Sequence, residues 1–487
     1  MLSYRFRKGV HVRSVEGDVV IATPYATRLN SVPQSLHIEQ VSDSLRSLLE
    51  DLSGEGVDLE RFVFAADASF ADSDQLRLRA TLEDFYLRGL VSTEISGCEG
   101  VAMSLNPVKS SLRLKDAPVA NDCIRFSRLV RIQPCIDGLS VSTPLSAGVL
   151  HLKDQRLFQI LPRLVSACDE EAIRSFLPED LRKHAEDVIS LLLSSGVAGV
   201  CDGEGVVDID RDVDAAGWTS EDLAFHRYTR EQMIDLCRNS SPPKAIDKNQ
   251  FPAKFQRIIL SVEALSRPSR LNNDLGFFQV VRERKTIRTY QEKPINADLL
   301  SDFLWHSMHV REEILCDPAL SRAYPGLLRP VASAGALHSI EIYLCIHRCM
   351  GLSPGFYHYD TSLHSLGKLC GLVDPCLQML DLAASSTCRA PQAASVSPGQ
   401  GQRPDVLVVM AARYGRNASL HHRTGLAYAL ILKDVGAIYQ QFYLVATALR
   451  LAPCGLSFGS SELFEQASGL SGHLECSVGE FMIGNPT

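Results

Sequence analysis

The chain has 487 residues, of which 45% are hydrophobic, so it is long enough to bury a large core and to form more than one domain. Its formal net charge is −8. This charge leaves no excess of lysine and arginine to neutralise a nucleic-acid backbone, which argues against a general nucleic-acid binder. A local basic pocket stays compatible with the composition.

Cysteines and apolar runs narrow the class of protein further. The 14 cysteines are scattered singly, without a Cys-x-x-Cys pair or a spacing typical of zinc ligands. This pattern predicts reduced thiols and no metal site. No run of about 18 apolar residues occurs, and the segment that begins Met1-Leu2-Ser3 lacks the features of a secretory signal. We therefore expect a soluble, cytoplasmic protein that does not interact with membranes or nucleic acid.

The N-terminal part contains an internal repeat. Arg5-Phe6 recurs as Arg125-Phe126, 120 residues later, and a Leu-His-aliphatic triplet follows in each copy. Each copy also carries helical patterns: Leu45 to Leu52, Leu82 to Gly89, Leu157 to Leu164 and Ile189 to Gly196. This order predicts two tandem winged-helix-like modules, residues 1–113 and 114–205. Neither candidate recognition helix is basic, so peptide or protein binding is favoured over DNA binding, and a purely structural role stays open.

Two further regions follow the repeat. Residues 206–273 are predicted to connect the modules to a C-terminal α+β domain, residues 274–487. The domain mixes predicted helices (Ala297 to His309, Lys433 to Leu451) with predicted strands (Glu341 to His347, Asp405 to Ala411). The segment Ala384 to Gln402 is rich in Ser, Pro, Gly and Gln, and this composition predicts a mobile surface loop.

Three stretches of the C-terminal domain are candidates for binding a flat or phosphorylated ligand. In Arg284-Lys285-Thr286-Ile287-Arg288, cations beside a hydroxyl suit phosphate oxygens, although a solvated basic turn has the same composition. The small residues Ser333 to Ala336 let a backbone approach a flat ligand closely. The loop Pro453 to Gly459 is able to offer backbone N–H groups to a ring or a phosphate. By contrast, Asp434 to Leu449 has apolar residues at helical spacing and indicates a core or dimer helix rather than a chemical site.

The order of the motifs along the chain is distinctive. They are Arg284 to Arg288, Ser333 to Tyr343, Pro354 to Tyr359, Gly436 to Gln440, Ala446 to Cys454 and Val478 to Gly484. This order resembles the successive motifs of SagB-type dehydrogenases, the flavin-dependent branch of the nitroreductase family that includes thiazoline and oxazoline oxidases. Phe225-His226 with Arg230 is similar to the segment that precedes the catalytic domain in many of these enzymes, so the resemblance runs from about Trp218 to Gly484. The N-terminal repeats resemble, by pattern, the peptide-recognition modules ahead of some cyanobactin-type oxidases.

This resemblance implies a C-terminal nitroreductase-like domain that forms a homodimer and binds FMN at the subunit interface. It assigns residues to the FMN phosphate and ribityl chain, to a turn at the flavin ring, to the long helix and to a loop beside the ring. The residues at the phosphate and ribityl chain are Arg284, Lys285, Thr286 and Arg288, and those at the turn are Ser333, Ala334 and Gly335. Gln440 is the residue on the long helix, and the loop beside the ring runs from Leu456 to Gly459, with Leu456 and Gly459 as cofactor-binding residues.

Two departures from the family pattern bear on the chemistry. Ala332 and Ser339 replace prolines that usually flank the turn at the ring. Azoline oxidases also carry a Lys-Tyr pair a few residues before the strand that corresponds to Tyr428 to Leu432, and here His422 and Arg423 stand at those places. Oxidation of an azoline needs a base aligned with hydride departure, and a neutral imidazole is available near pH 7. His422 and Tyr428 are therefore the catalytic candidates, and lost activity is the alternative.

The leading hypothesis is an FMN-dependent dehydrogenase that oxidises thiazoline or oxazoline rings of a modified precursor peptide, or of a carrier-bound peptide, to thiazoles or oxazoles. In this hypothesis the N-terminal modules grip the peptide and a cyclodehydratase is a partner. The alternatives are a nitroreductase-type flavin enzyme that acts on a small molecule and a catalytically degenerate peptide-binding scaffold.

Overall fold

The computed structural model divides the chain into two compact units, Met1–Pro243 (unit 1) and Lys244–Thr487 (unit 2). The residues that the structure describes are 2–7, 10–15, 18–26, 33–38, 43–54, 56–58, 81, 85, 90–107, 114–115, 122–146, 148–202, 204–207, 210–211, 213, 217–230, 257–268, 275–314, 326–385, 401–418 and 425–487. Most of the predicted helix Leu82 to Gly89, most of the predicted loop Ala384 to Gln402, and His422 lie outside the described residues.

Unit 1 is built on a seven-stranded sheet and two smaller sheets. The large sheet has the order β5-β1-β6-β7-β11-β10-β9, and the smaller ones are β2-β3-β4 and β12-β8. The strands are β1 Leu2–Phe6, β2 His11–Val15, β3 Asp18–Ala26, β4 Pro33–Ile38, β5 Val57–Asp58, β6 Val91–Gly97, β7 Gly100–Pro107, β8 Ile124–Phe126, β9 Arg131–Cys135, β10 Gly138–Ser142, β11 Gly148–Leu152 and β12 Ala198–Val200.

The Arg-Phe strands of the two repeat copies lie in different sheets. Arg5-Phe6 ends β1 of the seven-stranded sheet, whereas Arg125-Phe126 belongs to β8 of a two-stranded sheet. Strands from both predicted modules also share the large sheet, because β7 pairs with β11 and places Leu105 opposite Leu150. The winged-helix assignment and the module boundaries stay predictions.

The described helices of unit 1 are α1 Asp43–Ser53, α2 Glu170–Phe176, α3 Ala185–Ser195 and α4 Ser220–Arg230. Helices α1 and α3 confirm two of the predicted helical patterns, and α3 ends at Gly196 in the left-handed conformation. The predicted α-helix over Leu157 to Leu164 is wrong in type. Two 3₁₀ helices, Gln155–Ile160 and Arg163–Val165, occupy this segment, because Pro162 between them has no N–H to continue a helical ladder.

Unit 2 is built on a second seven-stranded sheet, with the order β13-β18-β17-β16-β19-β21-β20, and the described pairs of this sheet are antiparallel. A separate pair, β14 and β15, lies outside it. The strands are β13 Ser261–Ala264, β14 Glu312–Ile314, β15 Gly326–Leu328, β16 Ile340–Ile346, β17 Gly355–Asp360, β18 Ser365–Cys370, β19 Val406–Ala412, β20 Ala452–Leu456 and β21 Cys476–Gly484.

Helices cover both faces of this sheet. They are α5 Phe277–Glu283, α6 Ala297–Met308, α7 Asp374–Ser385, α8 Tyr414–Ala418, α9 Leu426–Ala448 and α10 Ser461–Ser468. Along β16, Ile342 and Leu344 pack in one core with residues of α6 and α9, whereas Tyr343 and Cys345 pack in another with residues of α7 and α10. Successive strand residues point to opposite faces, so an apolar strand can serve two cores. The α+β prediction for the C-terminal region is confirmed.

Helix α9 begins earlier than the sequence predicts. Tyr428 to Leu432, predicted as a strand, forms the first turns of this helix, which starts at Leu426. A short apolar run has no periodicity that separates a strand from a buried helix, and here alanine and leucine favour the helix. Among the described residues, none of the helices combines the length and the apolar character needed to cross a membrane.

Candidate functional site

Each of the three predicted binding stretches of unit 2 contacts helix α9. Three polar residues of this helix, Asp434, Tyr439 and Tyr443, each hydrogen-bond to one or more of those stretches. The sequence predicts that this segment is a core or dimer helix rather than a chemical site. Helix α9 does pack in the core through Ile438 and Phe442, and it also forms hydrogen bonds with each of the predicted binding stretches.

Tyr443 joins the basic segment to the loop that follows β20. Its hydroxyl lies 3.0 Å from Thr286 Oγ1, and it accepts a hydrogen bond of 2.8 Å from the Gly455 N–H. The Ile287 N–H donates to the Pro453 carbonyl at 2.9 Å. The Arg284 guanidinium carbon lies 5.2 Å from the centre of the Tyr443 ring, which is cation–π geometry. Two of the three predicted stretches are therefore adjacent.

The cations of the basic segment stay accessible. Lys285 and Arg288 are exposed, and Arg284 and Thr286 are half-buried. Arg288 also lies beside Cys454, where burial raises the pKa of the thiol and the neighbouring guanidinium partly opposes this rise. Guanidinium and ammonium groups next to a hydroxyl are a donor set that matches phosphate.

Asp434 fixes the turn before β16. Its carboxylate accepts hydrogen bonds from the Ser333 hydroxyl at 2.6 Å and from the Ala334 N–H at 2.9 Å. The Ser333 oxygen in turn accepts from the His338 N–H at 3.0 Å. Burial raises the pKa of Asp434, and the two hydrogen bonds from the turn oppose that rise. The polar groups of Ser333 and Ala334 are thus directed at the helix, and the turn takes its shape from this contact.

The same turn holds an unusual backbone. Gly335, Ala336 and His338 have φ values of 61°, 54° and 45°. The left-handed region is unfavourable for residues with a Cβ, so the surrounding contacts must stabilise it, and such conformations cluster at functional sites. Gly335 is exposed, and because it has no Cβ it permits the close approach of a ligand to this turn.

Tyr439 fixes the loop that follows β20. Its hydroxyl donates to the Leu456 carbonyl at 2.8 Å and accepts from the Glu480 N–H at 3.1 Å. Gly459, three residues further on, packs on the Glu480 carboxyl so closely that a Cβ there would lie 2.1 Å from its oxygens. The loop Leu456 to Gly459 is therefore held at both ends, and Ser457 and Phe458 between them are exposed.

Buried ion pairs lie next to the turn, at the start of β16. Glu341 accepts a hydrogen bond of 2.8 Å from His358 and lies 2.7 Å from an Arg413 nitrogen. Glu475 binds the Arg257 guanidinium at 2.9 Å and the Tyr343 hydroxyl at 2.6 Å. Burial disfavours the charge on Glu341, but Arg413, His358 and Arg257 outweigh it and hold its pKa well below its usual range.

The remaining predicted site residues have varied surroundings. Tyr428 is 38% exposed in the first turn of α9, and burial raises the pKa of its hydroxyl. Gln440 is exposed on the same helix, and Leu456 is buried. No group of His, Cys, Asp or Glu side chains suited to a metal occurs within the described ranges.

Four residues of this site were not identified from the sequence: Asp434, Tyr439, Tyr443 and Glu480. The signal that was available is the position of the first three. All three are polar or amphipathic side chains of a mainly apolar helix. Tyr439 and Tyr443 are four residues apart and share one face of the helix, whereas Asp434, nine residues before Tyr443, lies on the opposite side. Nothing in the local pattern distinguishes Glu480.

Comparisons with known proteins assign a class to unit 2. Residues 281–480 match the profile of the nitroreductase family. Over 187 residues, the chain is 26% identical to the "Putative nitroreductase MJ1384" of Methanocaldococcus jannaschii, covering 38% of this chain and 81% of that protein. Unit 2 therefore contains a nitroreductase-family domain. Members of this family are typically flavin-dependent oxidoreductases.

Two solved structures are similar to part of this chain. A nitroreductase family protein from Clostridium novyi NT is 13% identical, with a TM-score of 0.28 over 44% of this chain and 86% of that one. The Escherichia coli microcin synthetase McbBCD complex with truncated pro-MccB17 bound includes a chain that is 19% identical, with a TM-score of 0.33 over 51% of this chain and 84% of that one.

Proposed function

We propose that the protein is an FMN-dependent dehydrogenase that oxidises thiazoline or oxazoline rings of a modified or carrier-bound peptide to thiazoles or oxazoles. The observation that carries the flavin part is the contact of three separate stretches with helix α9 within a nitroreductase-family domain. The azoline part is supported by the motif order, which resembles that of SagB-type dehydrogenases.

The residues of the site fit FMN. Arg284, Lys285 and Arg288 would hold its phosphate, with Thr286 oriented by Tyr443. The flat ring would lie against backbone at the turn Ser333 to Gly335 and at the loop Leu456 to Gly459, where Gly335 and Gly459 carry no side chain. Gln440, exposed on α9, is a further donor for the cofactor. When bound, FMN supplies the acceptor for the hydride that leaves the substrate.

A homodimer is part of this proposal. Helix α5, which packs on α9, exposes Phe277 and Phe278 at 65% and 82%, and α9 exposes Tyr428 and Leu432 at 38% and 39%. Exposed large side chains with apolar surface on these two helices are typical of a surface that a partner covers. We also propose that unit 1 recognises the peptide and that a cyclodehydratase supplies its azoline rings.

The phosphate assignment predicts loss of cofactor affinity on removal of a cation. Arg284→Ala and Arg288→Ala should each weaken FMN binding by about 1.5–3 kcal/mol, because a phosphate loses a charge-assisted hydrogen bond. The dissociation constant is measured by quenching of FMN fluorescence. Arg282→Ala is the matched control, since Arg282 is exposed in the last turn of α5. Full FMN affinity in both test variants would contradict the assignment.

The division of labour between the units predicts a selective loss. Removal of residues 1 to about 200 should leave FMN binding intact but lower kcat/KM for a long azoline peptide by about 10²-fold or more, since recognition and chemistry would no longer be linked. Mass spectrometry of the peptide measures the reaction as a loss of two hydrogens per azoline. Equal peptide turnover by the truncated and full-length proteins would assign recognition to unit 2.

A small-molecule flavin enzyme is the second candidate. It is favoured by the name of the M. jannaschii relative and by His422 and Arg423 at the places of the Lys-Tyr pair. Turnover of a small nitro compound, together with no mass change in any azoline peptide, would favour this candidate over the peptide dehydrogenase.

A further inference from the structure

Glu480 is a buried carboxyl group beneath the loop Leu456 to Gly459. It lies on β21 directly opposite Leu456 of β20 and is 7% exposed. Buried acids are usually paired with a cation or hydrogen-bonded to several donors. No arginine or lysine of the described chain forms an ion pair with Glu480, and Ser477 donates a hydrogen bond to it. Charge pairing therefore does not account for a carboxyl group at this position.

The contacts of Glu480 reach both ends of the loop. Its carboxyl group fills the space beside Gly459 in which a side chain would otherwise lie. Its backbone N–H donates to the Tyr439 hydroxyl, which donates to the Leu456 carbonyl. A displacement of Glu480 therefore changes the contacts of both Leu456 and Gly459.

The groups that face this carboxyl are uncharged near neutral pH. They are the Tyr439 hydroxyl from α9, whose pKa burial raises to about 12, the Ser477 hydroxyl from β21 and the Gly459 backbone from the loop. Burial raises the pKa of Glu480 itself to about 7, and the hydrogen bond from Ser477 opposes that rise. The carboxyl group is thus neutral in acid and charged in weak alkali.

We propose that Glu480 is a positioning residue, which couples the geometry of the loop Leu456 to Gly459 to the protonation state of its carboxyl group. The neutral carboxyl packs against Gly459 without needing water. The carboxylate needs more hydrogen-bond donors than the Ser477 hydroxyl supplies, so it moves away from Gly459 and the loop moves with it. The inference rests on the proposed function, in which this loop lies beside the flavin ring.

A bound ring over the loop would bury Glu480 further and favour its neutral form. Binding of FMN would then take up a proton, and affinity must fall as the pH rises above about 7. Linkage sets the limit of this fall at about tenfold per pH unit. The phosphate of FMN, with a second pKa of about 6, changes charge at lower pH and acts equally in all variants.

The test is the pH dependence of FMN affinity, measured by fluorescence quenching of FMN with the full-length chain between about pH 6.5 and 9. Wild type should lose affinity as the pH rises, whereas Glu480→Gln, which keeps the neutral shape, should show a nearly flat profile. Glu462→Gln is the control, because it removes an exposed carboxylate from the neighbouring helix α10. It should keep the wild-type profile.

A double-variant cycle tests the contact itself. Gly459→Ala should weaken FMN binding at least about tenfold, because its new Cβ meets the Glu480 carboxyl. In a Glu480→Ala background, where that space is empty, the same substitution should have a much smaller effect. Urea unfolding of each variant shows whether it is folded. The pH profile of the wild type tests the inference even if a variant fails to fold.

The outcomes separate this inference from the function on which it rests. Wild type that binds FMN with no fall in affinity above pH 7, or Glu480→Gln that retains the same fall, would overturn the inference and leave the flavin site standing. Equal effects of Gly459→Ala in both backgrounds would overturn it as well. Wild type that binds no FMN at any pH would overturn the proposed function, and the inference with it.

Discussion

Replacement of Glu341 by glutamine is expected to lower the free energy of unfolding by about 3–5 kcal/mol, the range for breaking a buried ion pair. Glu341 is 12% exposed in its side chain and lies within 2.8 Å of both Arg413 and His358. A neutral amide cannot balance the buried guanidinium, which keeps its desolvation penalty after losing its carboxylate partner. Urea unfolding at pH 7 measures the difference.

A matched pair at the surface provides the control. Asp381 lies 2.6 Å from Arg403, but both side chains are partly exposed, at 26% and 32%. Water screens such a pair, so Asp381→Asn should cost no more than about 1 kcal/mol. If Glu341→Gln and Asp381→Asn lowered the free energy of unfolding by similarly small amounts, the ion pairs of Glu341 would not be a main source of stability.

The same residue predicts the direction of a pH effect. The pKa of Glu341 is well below its usual range in the folded chain, whereas in the unfolded chain it returns to about 4.3. Its contribution to stability is therefore full above about pH 4.3 and is lost as the pH falls below that value. Wild type should lose stability in acid more steeply than Glu341→Gln.

Substitution of His422 by alanine is expected to lower azoline turnover by about 10²–10⁴ while FMN binding is unchanged, the range for loss of a positioned proton acceptor. Hydride departure leaves an azoline carbon whose proton must be lost before an aromatic ring can form. Arg423 stays protonated, and Tyr428 would have to give up a proton of pKa about 10. Burial raises the pKa of Tyr428 further, so it is poorly suited to be the base.

His421 is the matched control for this prediction. It adjoins His422 in the sequence, and both imidazoles are chemically able to accept a proton. His422 stands in the place of the lysine, so His421→Ala should retain most of the activity. A His422→Ala enzyme with wild-type turnover and an unaltered pH profile would eliminate the assignment, and a loss confined to His421→Ala would transfer the role to that residue.

The secondary structure of unit 2 was largely predictable where patterns are long. The predicted helix from Ala297 corresponds to α6, and the predicted strands at Glu341 and Asp405 correspond to β16 and β19. Errors arose where local preference is ambiguous. Tyr428 to Leu432 is apolar and short, so only its packing decides that it is helical, and Pro162 divides a segment whose apolar spacing alone indicates one helix.

The site was predictable as a set of stretches but not as a set of contacts. Basic residues and small residues carry local signals, so the segments at Arg284, Ser333 and Pro453 could be identified. Their contacts with helix α9 depend on Asp434, Tyr439 and Tyr443, which bind residues far away in the sequence. Glu480 is also far in the sequence from the loop that it contacts, and only the register of β20 and β21 places it beneath that loop. The sharing of one sheet by the two N-terminal repeats is likewise a long-range property.

The flavin content of the protein tests most directly whether the three stretches that contact helix α9 form an FMN site. The full-length protein is purified and denatured, and any released flavin is identified and quantified by chromatography and mass spectrometry. The account predicts stoichiometric FMN, or uptake of added FMN to that level, with clear losses in Arg284→Ala and Arg288→Ala but not in Arg282→Ala. A folded protein that releases no flavin and binds no added FMN would contradict it.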